Sequence, residues 1–165
     1  MKAIVVYESH WGNTAVIARA IAEGIGPDAR ALSTAEASAA MVADADLIVA
    51  GAPLIAFGLP SDRMLESLGT SSRKAPAPPD LSHPSMRAWL DALPAGRGRS
   101  AAFETRIRFS PGGATSAIIR GLERAGYRTL GKGRRFIVTG TYGPLRDGEV
   151  ESARLWGVEL AAAMR

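Results

Sequence analysis

The chain has 165 residues, of which 47% are hydrophobic and 22% charged, a composition typical of a globular protein with one domain. It contains no cysteine, which excludes disulfide bonds, thiol catalysis and thiolate metal sites. The net charge is +4, but residues 1–95 hold 7 basic and 10 acidic side chains, whereas residues 96–165 hold 13 basic and 6 acidic. The basic half suits either an anionic ligand or acidic partner, or an ordinary solvated surface.

Two further classes of protein are disfavoured by the sequence. The histidines, His10 and His83, are far apart in the chain, which disfavours a histidine-rich metal site. The N-terminal stretch "MKAIVVYESH" has too few consecutive apolar residues for a signal-peptide core or a membrane span. We therefore expect a cytoplasmic protein.

The first half of the chain alternates between strand and helix patterns. The run "AIVVY" at 3–7 predicts a buried strand, because its apolar residues are continuous. From Thr14 onward, apolar residues recur at the spacing of one helical face and predict a helix that ends near residue 25. A weaker strand follows at 29–32, then a short Ala-rich helix at 35–42 and a second strong strand, "LIVA", at 47–50.

The second half continues the alternation. Its predicted elements are helices at 61–68, 85–93 and 115–125 and strands at 101–105 ("AAFET") and 136–139 ("FIVT"). A last helix is predicted after Asp147, which would cap it, with Glu149 and Glu151 favourable in its first turn. The segment 69–84 contains four prolines and few apolar residues, and it reads as an exposed excursion within one domain of residues 1–165.

This order of elements predicts an α/β fold. Five strands separated by helices indicate a parallel sheet with helices on both faces, a three-layer sandwich. Open parallel sheets bind ligands beyond the carboxyl ends of their strands. The loops that follow the strong strands are therefore the candidate functional sites.

The loop "ESHWGNT" at 8–14 joins the first strand to the first helix. Ser9, Asn13 and Thr14 offer side-chain hydrogen bonds, Gly12 permits a tight turn, and the helix N-terminus favours an anion. Because the loop has no Lys or Arg, binding would rest on neutral donors, as in a phosphate cradle built from backbone amides. The alternative is a simple helix cap by Asn13 or Thr14. Neither a Walker loop nor a "GxGxxG" fingerprint is present.

Across nearly its whole length the sequence resembles the flavodoxin-like FMN-binding proteins. The resemblance begins with the Ser/Thr- and Gly-rich loop that ends in "GNT" after the first strand. It extends through "GAPLIAFGLPSDR", "RAWLDALP", "FETRIR…PGGA", "LERAGYR" and "VTGTYGPLRDGEVESARLWG". It implies a five-stranded sheet in the order 2-1-3-4-5, FMN as cofactor, and a role in electron transfer or as a small flavin-dependent reductase.

The resemblance also implies which residues hold the cofactor. The first loop would bind the FMN phosphate, the second would lie along one face of the flavin ring, and the third along its other face or its pyrimidine edge. These predicted residues are Ser9, His10, Trp11, Gly12, Asn13 and Thr14, then Pro53, Leu54, Ile55, Phe57 and Gly58, then Thr105, Arg106, Arg108, Phe109 and Gly113. The partner would be a redox protein or a small acceptor such as a quinone, and the chain a monomer or homodimer.

Arg106 and Arg108 lead to a hypothesis about the reduction potential. In the flavodoxins that this sequence resembles, acidic residues typically surround the flavin and disfavour its anionic reduced form. An arginine that faces the ring would instead stabilise that form and raise the potential. The alternative is that both arginines face solvent.

A second function remains open, a flavodoxin-fold binding module that has lost FMN. Leu54 and Ile55 stand where the family often has Thr followed by an aromatic residue or His, and Trp11 stands where a small residue is usual. Phe57 and Phe109, the remaining rings of the second and third loops, are either stacking partners or ordinary packing residues. His10 is either a proton donor near a bound quinone or a solvated loop residue.

Other classes are disfavoured. A phosphorelay receiver needs acidic residues at the ends of the first and third strands, and Gly51-Ala52 stands at the latter. A nucleic-acid binder would have few side chains on which to stack bases, because only 6% of the residues are aromatic. A hydrolase is disfavoured because the "GxSxG" elbow is absent.

Overall fold

A computed structural model describes residues 1–71 and 74–165, without the side chain of Ser71. Within these ranges one sheet contains six strands: β1 (Ala3–Tyr7), β2 (Ala29–Ser33), β3 (Leu47–Pro53), β4 (Arg99–Ile107), β5 (Arg128–Thr129) and β6 (Arg134–Val138). The helices are α1 (Asn13–Ile25), α2 (Ala39–Ala43), α3 (Asp62–Ser71), α4 (Met86–Asp91), α5 (Thr115–Arg124) and α6 (Glu149–Ala163).

The strand order confirms the predicted topology. The sheet runs β2-β1-β3-β4-β5, every pair is parallel, and β6 also pairs with β4. The long strand β4 pairs with β5 through its first two residues and with β6 through Phe103–Ile107, on the edge opposite β3. The predicted strand at 136–139 corresponds to β6, and β5 is a sixth strand of two residues that the sequence did not predict. Gly131, with a φ of +68°, lies in the break between them.

Helices cover both faces of the sheet, as a three-layer sandwich requires. Along β1, Ala3 and Val5 pack with α1 and α6, whereas Ile4 and Val6 pack with α2, α4 and α5. This alternation of buried residues on both faces explains why the run is continuously apolar in sequence. In the described ranges, no helix is long and apolar enough to cross a membrane.

Two predicted helix starts were wrong. The Ala-rich stretch 35–42 begins as a turn, and α2 starts only after Ser38, whose side chain accepts a hydrogen bond from the backbone N–H of Met41. Asp147 does not cap the last helix. Gly148 occupies that position with a φ of 86° and makes no side-chain cap, because it has no side chain.

The proline-rich segment makes contacts that the sequence did not predict. Residues 72 and 73 lie outside the described residues, but residues 77–84, here called the strap, lie against the loop after β1. The strap has no helix or strand of its own. Six of residues 77–84 are exposed and none is buried, as expected of an exposed excursion, but the segment is hydrogen-bonded to the loop after β1.

Candidate functional site

A cleft of about 250 Å³ opens beyond the carboxyl ends of β1, β3, β4 and β6. This volume is near the lower end of ligand pockets, which span roughly 300–1,000 Å³. The sequence predicted this location, and ten of the sixteen predicted site residues line the cleft. The lining consists of Ser9, His10, Trp11, Asn13, Thr14, Pro53, Leu54, Ile55, Ala56, Leu68, Thr105, Arg106, Ile107, Ser110, Val138 and Thr141.

The loop after β1 presents a row of unpaired backbone donors. The N–H groups of residues 10–14 have no acceptor in the described part of the chain. Gly12 takes a left-handed φ of 93° at the N-cap of α1, and the helix has no acidic residue in its first turn. Successive N–H groups that alternate through a left-handed residue form a concave site for an anion.

Neither Asn13 nor Thr14 caps α1, because the N-cap position is Gly12, so the alternative of a cap by one of these two residues was wrong. Asn13 donates through Nδ2 to the carbonyl of Tyr142 at 3.2 Å. The Thr14 hydroxyl lies 2.8 Å from that of Thr105. Ser9 Oγ accepts a hydrogen bond from the N–H of Ala15 at 3.3 Å. These side chains tie the loop to its neighbours and leave the backbone donors unpaired.

The strap holds the opposite side of the same loop through its carbonyl groups. The Asp80 N–H donates to the carbonyl of His10 at 2.8 Å, and His83 Nε2 lies 2.7 Å from the carbonyl of Ser9. Because two successive carbonyls face the strap, the N–H groups that follow them are oriented away from it. The strap therefore orients the loop so that its N–H groups are available to an anion on the side away from the strap.

His10 is buried, and the expectation of a solvated histidine was wrong. It is 5% exposed, its Nε2 lies 2.7 Å from Glu8 Oε2, and its Nδ1 lies 2.9 Å from the Asp80 carbonyl. Burial lowers the pKa of His10, but the hydrogen bonds to Glu8 and to the Asp80 carbonyl outweigh it and raise the pKa above the usual value. Glu8 is fully buried and also accepts the N–H of Met86 at 2.6 Å.

The two histidines are close in space although they are far apart in sequence. Their ring centroids are 5.5 Å apart, which overturns the premise of the sequence argument about metals. Among the described residues, no group of three or more His, Asp or Glu side chains is placed to hold a metal ion.

A second buried carboxylate holds the third loop. Glu104 is fully buried; its Oε1 accepts Arg106 Nη1 at 2.8 Å, and its Oε2 accepts the N–H groups of Ala114 and Thr115 at 2.5 and 3.0 Å. Arg106 is itself 5% exposed, and it also donates to the carbonyl of Gly112. This network places a cationic side chain in the wall of the cleft.

The second loop is a tight turn closed by backbone hydrogen bonds between Ile55 and Gly58. Ala56 and Phe57 both adopt positive φ, 45° and 75°, which is unusual for residues other than glycine. Leu54 and Ile55 line the cleft, whereas Phe57 points away and is 69% exposed. The loop thus offers the cleft an aliphatic wall.

In the third loop, as in the second, some side chains line the cleft and others lie on the surface. Thr105, Arg106 and Ser110 line the cleft, whereas Phe109 is 85% exposed and lies under the guanidinium of Arg108 at 5.0 Å. The ordinary-packing alternative for Phe57 and Phe109 was therefore wrong, because both rings lie on the surface. Gly113 and Gly58 support the loops from outside the lining, since the N–H of Gly113 donates to the Phe57 carbonyl at 3.2 Å.

Trp11 is held between the strap and the loop after β6. Its indole Nε1 donates to the carbonyl of Ala77 at 3.0 Å, and its ring packs edge-on against Tyr142 with centroids 4.7 Å apart. Trp11 lines one end of the cleft. Among the described residues that line the cleft, Trp11 has the largest aromatic side chain.

Comparisons with solved structures agree with the topology. The chain is similar to a flavodoxin from the domain Archaea, with a TM-score of 0.68, 20% identity and 99% of each chain covered. Similar values relate it to oxidised Flavodoxin 1 from Bacillus cereus, with a TM-score of 0.68, 20% identity and 98% of each chain covered. The chain is also similar to a flavodoxin, WrbA-like protein from Agrobacterium tumefaciens, with a TM-score of 0.61 and 20% identity. This match covers 99% of the present chain and 97% of the other.

The chain has the flavodoxin-like fold. The likeness extends over the whole chain, so the strap and the short strand β5 are details within this fold. No protein-family model and no curated protein sequence matches the chain. At 20% identity the likeness shows the fold alone, and the site must be argued from its own geometry.

Sequence reasoning missed three residues that shape the site within this flavodoxin-like fold. Glu8, Glu104 and His83 were not candidates, although all three hold its loops. Glu104 carried a signal, because an acidic residue inside an apolar strand run must find partners when it is buried. His83 carried none, since its partner lies 74 residues away.

Proposed function

We propose that the chain binds FMN, with the phosphate in the loop of residues 9–14, and that it acts in electron transfer or as a small flavin-dependent reductase. The observation that carries the proposal is the row of unpaired backbone N–H groups at residues 10–14, at the N-terminus of α1. Five successive neutral donors at a helix N-terminus suit a phosphate group.

The composition of the cleft supports a planar ligand attached to that phosphate. Leu54, Ile55 and Val138 supply apolar contact, while Thr105 and Arg106 supply polar groups beside it. The FMN would supply one- or two-electron transfer, and the chain's residues would bind, orient and electrostatically tune it. The roles predicted for individual residues of the three loops remain part of this proposal.

The partner follows from the same proposal. We expect electrons to pass to or from a redox protein or a small acceptor such as a quinone, which would approach at the open mouth of the cleft. The exposed rings of Phe57 and Phe109 lie on the loops that form this mouth.

The first test is a titration of purified protein with FMN, with riboflavin as control. We expect saturable quenching of flavin fluorescence by FMN and at least tenfold weaker binding of riboflavin, because riboflavin lacks the phosphate. Equal binding of the two flavins would contradict a phosphate role for the loop, and binding of neither would contradict the proposed function.

A glycine pair sharpens this test. Gly12→Ala places a Cβ at a left-handed φ of 93° in the loop, where a non-glycine residue costs roughly 1–2 kcal/mol. We expect about a tenfold loss of FMN affinity from the distorted cradle. Gly131→Ala is the matched control, because Gly131 has a φ of 68° and equally open surroundings but lies in the break between β5 and β6. Its affinity for FMN should stay that of wild type.

One observation favours the alternative of a binding module without flavin. Neither Phe57 nor Phe109 lines the cleft, so the second and third loops offer no flat aromatic face to a ring. The loss of such stacking removes only about 0.5–1.5 kcal/mol per contact. The phosphate cradle remains, and for this reason FMN binding is the preferred function.

A further inference from the structure

We propose that Glu8 and His10 share one buried proton on which anion binding depends, so that a phosphate-bearing ligand binds together with this proton. The inference rests on the proposed function for the place of the phosphate, the loop of residues 9–14. It adds a pair of positioning side chains, those of Glu8 and His10, that act from the strap side of that loop and are not expected to touch the ligand.

The hydrogen-bond partners fix the number of protons. His10 Nδ1 lies 2.9 Å from the carbonyl oxygen of Asp80, which can only accept, so Nδ1 carries a proton. His10 Nε2 lies 2.7 Å from Glu8 Oε2, and the other carboxylate oxygen accepts the N–H of Met86. A contact of this length between nitrogen and oxygen requires a proton on one of them. The pair as a whole is therefore neutral.

Loss of that proton would leave a net negative charge behind the cradle. A neutral His10 would direct the lone pair of Nε2 at the Glu8 carboxylate, whose side chain is fully buried. The stretch "ESHWGNT" contains no Lys or Arg to balance the charge. An anion in the cradle and an uncompensated Glu8 carboxylate would repel each other across a poorly screened distance.

The coupling must work in both directions. If the protonated pair favours the anion, then the bound anion favours the protonated pair by the same factor. Above the pKa of His10 in the free protein, binding then takes one proton from solvent and places it on Nε2. The imidazolium and carboxylate that result carry no net charge.

The other charged groups around His10 do not replace this proton. The ring of His83 is 5.5 Å away and faces the carbonyls of Ser9 and Pro84. The Asp80 carboxylate is hydrogen-bonded by Ser82.

On the outer side of the loop, Arg19 of α1 and Glu36 of the turn after β2 share a cavity with His10. Their formal charges offset each other. Neither of them contacts the Nε2–Oε2 hydrogen bond of the Glu8–His10 pair. The raised pKa of His10, which was derived above from the two hydrogen bonds, places the change in charge of this pair on the alkaline side of the usual histidine value.

The experiment is an FMN titration of the purified protein between pH 7 and 9.5. Above pH 7 the phosphate of the ligand is almost fully ionised, because its second pKa is about 6. Once the pH exceeds the pKa of His10, we expect the Kd for FMN to rise about tenfold per pH unit. Calorimetry in buffers of different ionisation enthalpy should show uptake of up to one proton per FMN.

Two variants assign the effect to the pair. In Glu8→Gln, the amide can donate to Nε2 and accept the Met86 N–H, so the contacts persist without the charge. We expect its affinity to be independent of pH over this range. His83→Asn is the matched control, because it changes a neighbouring strap contact and leaves the pair intact. It should keep the slope of wild type.

Several results would overturn the proposal. One is a Kd in wild type that does not vary with pH, together with no proton uptake. Another is a slope that survives in Glu8→Gln and disappears in His83→Asn.

If FMN does not bind at all, the proposed function fails but the pair can still be tested. The His10 imidazole is then titrated by NMR with and without inorganic phosphate. A rise in its pKa on addition of phosphate supports the coupling, and an unchanged pKa overturns it.

Discussion

Arg106 and Arg108 are two residues apart in sequence and differ completely in environment. Arg106 is 5% exposed, paired with the buried Glu104, and lines the cleft. Arg108 lies outside the lining and packs over Phe109. Strand alternation would place residues two apart on the same face, but β4 ends at Ile107 and Arg108 lies in the turn that follows, so the two side chains leave the backbone in different directions.

This difference yields a prediction about the reduction potential of bound FMN. Arg106→Gln removes a positive charge from the cleft wall, so the anionic reduced flavin loses stabilisation. We expect the potential to fall by roughly 20–60 mV, or about 0.5–1.4 kcal/mol per electron. Potentiometric titration measures it. Arg108→Gln, a matched change outside the cleft, should leave the potential within experimental error, and an equal fall in both variants would contradict the assignment.

At the scale of elements, the sequence predicted what depends on local pattern. The continuous apolar runs identified β1, β3 and β6, because strands buried on both faces need apolar side chains at every position. The contacts of the strap were not predicted, because they do not depend on local pattern. Its hydrogen bonds join residues 66 to 74 positions apart, such as Trp11 to Ala77 and Ser9 to His83. No local periodicity encodes such contacts, and many prolines favour the interpretation of an exposed loop.

The cleft shows the same division within one site. The location beyond the strand ends followed from the α/β pattern, and the proposed cradle was one of the two interpretations of "ESHWGNT". The direction of each side chain in the turns did not. Phe57 lies on the surface because Ala56 and Phe57 adopt left-handed conformations. Neither residue type favours such a conformation, so the sequence does not predict it.

The contact between α1 and α6 gives a prediction at this scale. A Cβ added at Gly157 of α6 would lie 2.2 Å from the carbonyl oxygen of Ile21 and 2.9 Å from the Cα of Gly24, both in α1. Backbone atoms cannot move aside without separating the helices. We expect Gly157→Ala to lower the free energy of unfolding by about 1–3 kcal/mol, as measured by urea denaturation.

The control for this change is another helical glycine. Gly69 of α3 is exposed, and among the described residues its added Cβ would meet Leu81 Cδ1 alone, at an ordinary 3.4 Å. Gly69→Ala should raise the free energy of unfolding by about 0.5–1 kcal/mol, because alanine is the better helix former. The opposite signs follow from the space around each glycine, and two changes of the same sign would contradict the close helix contact.

The whole molecule combines a basic second half with carboxylates that are buried or hydrogen-bonded. Its net charge is +4, yet Glu8, Glu104 and Glu149 each bind backbone N–H groups inside the fold. The acidic residues therefore organise loops and helix starts, while most of the arginines remain at the surface. The dependence of stability on pH should reflect this division, because the groups with shifted pKa values titrate at opposite ends of the range.

At the acidic end, hydrogen bonds lower the pKa of two carboxylates. The backbone and side chain of Ser33 lower that of Glu36, and the side chain and backbone of Ser82 lower that of Asp80. Their stabilising contributions are present above the pKa values of the unfolded chain, near 4, and are lost as the pH falls through the lower values of the folded protein. Because both side chains are largely solvated, this loss should be small.

At the alkaline end, the raised pKa of His10 reverses the sign. Its contribution is complete below the pKa of the unfolded chain, about 6.5, and is lost as the pH rises through the higher pKa of the folded protein. We therefore expect the free energy of unfolding in urea to be greatest between about pH 5 and 6.5. Above that range it should fall by at most about 1.4 kcal/mol per pH unit. In Glu8→Gln the alkaline fall should disappear while the acidic limb is unchanged, because the hydrogen bonds of Glu36 and Asp80 are retained. An alkaline fall of wild-type slope in that variant would show that a group other than the Glu8–His10 pair controls it.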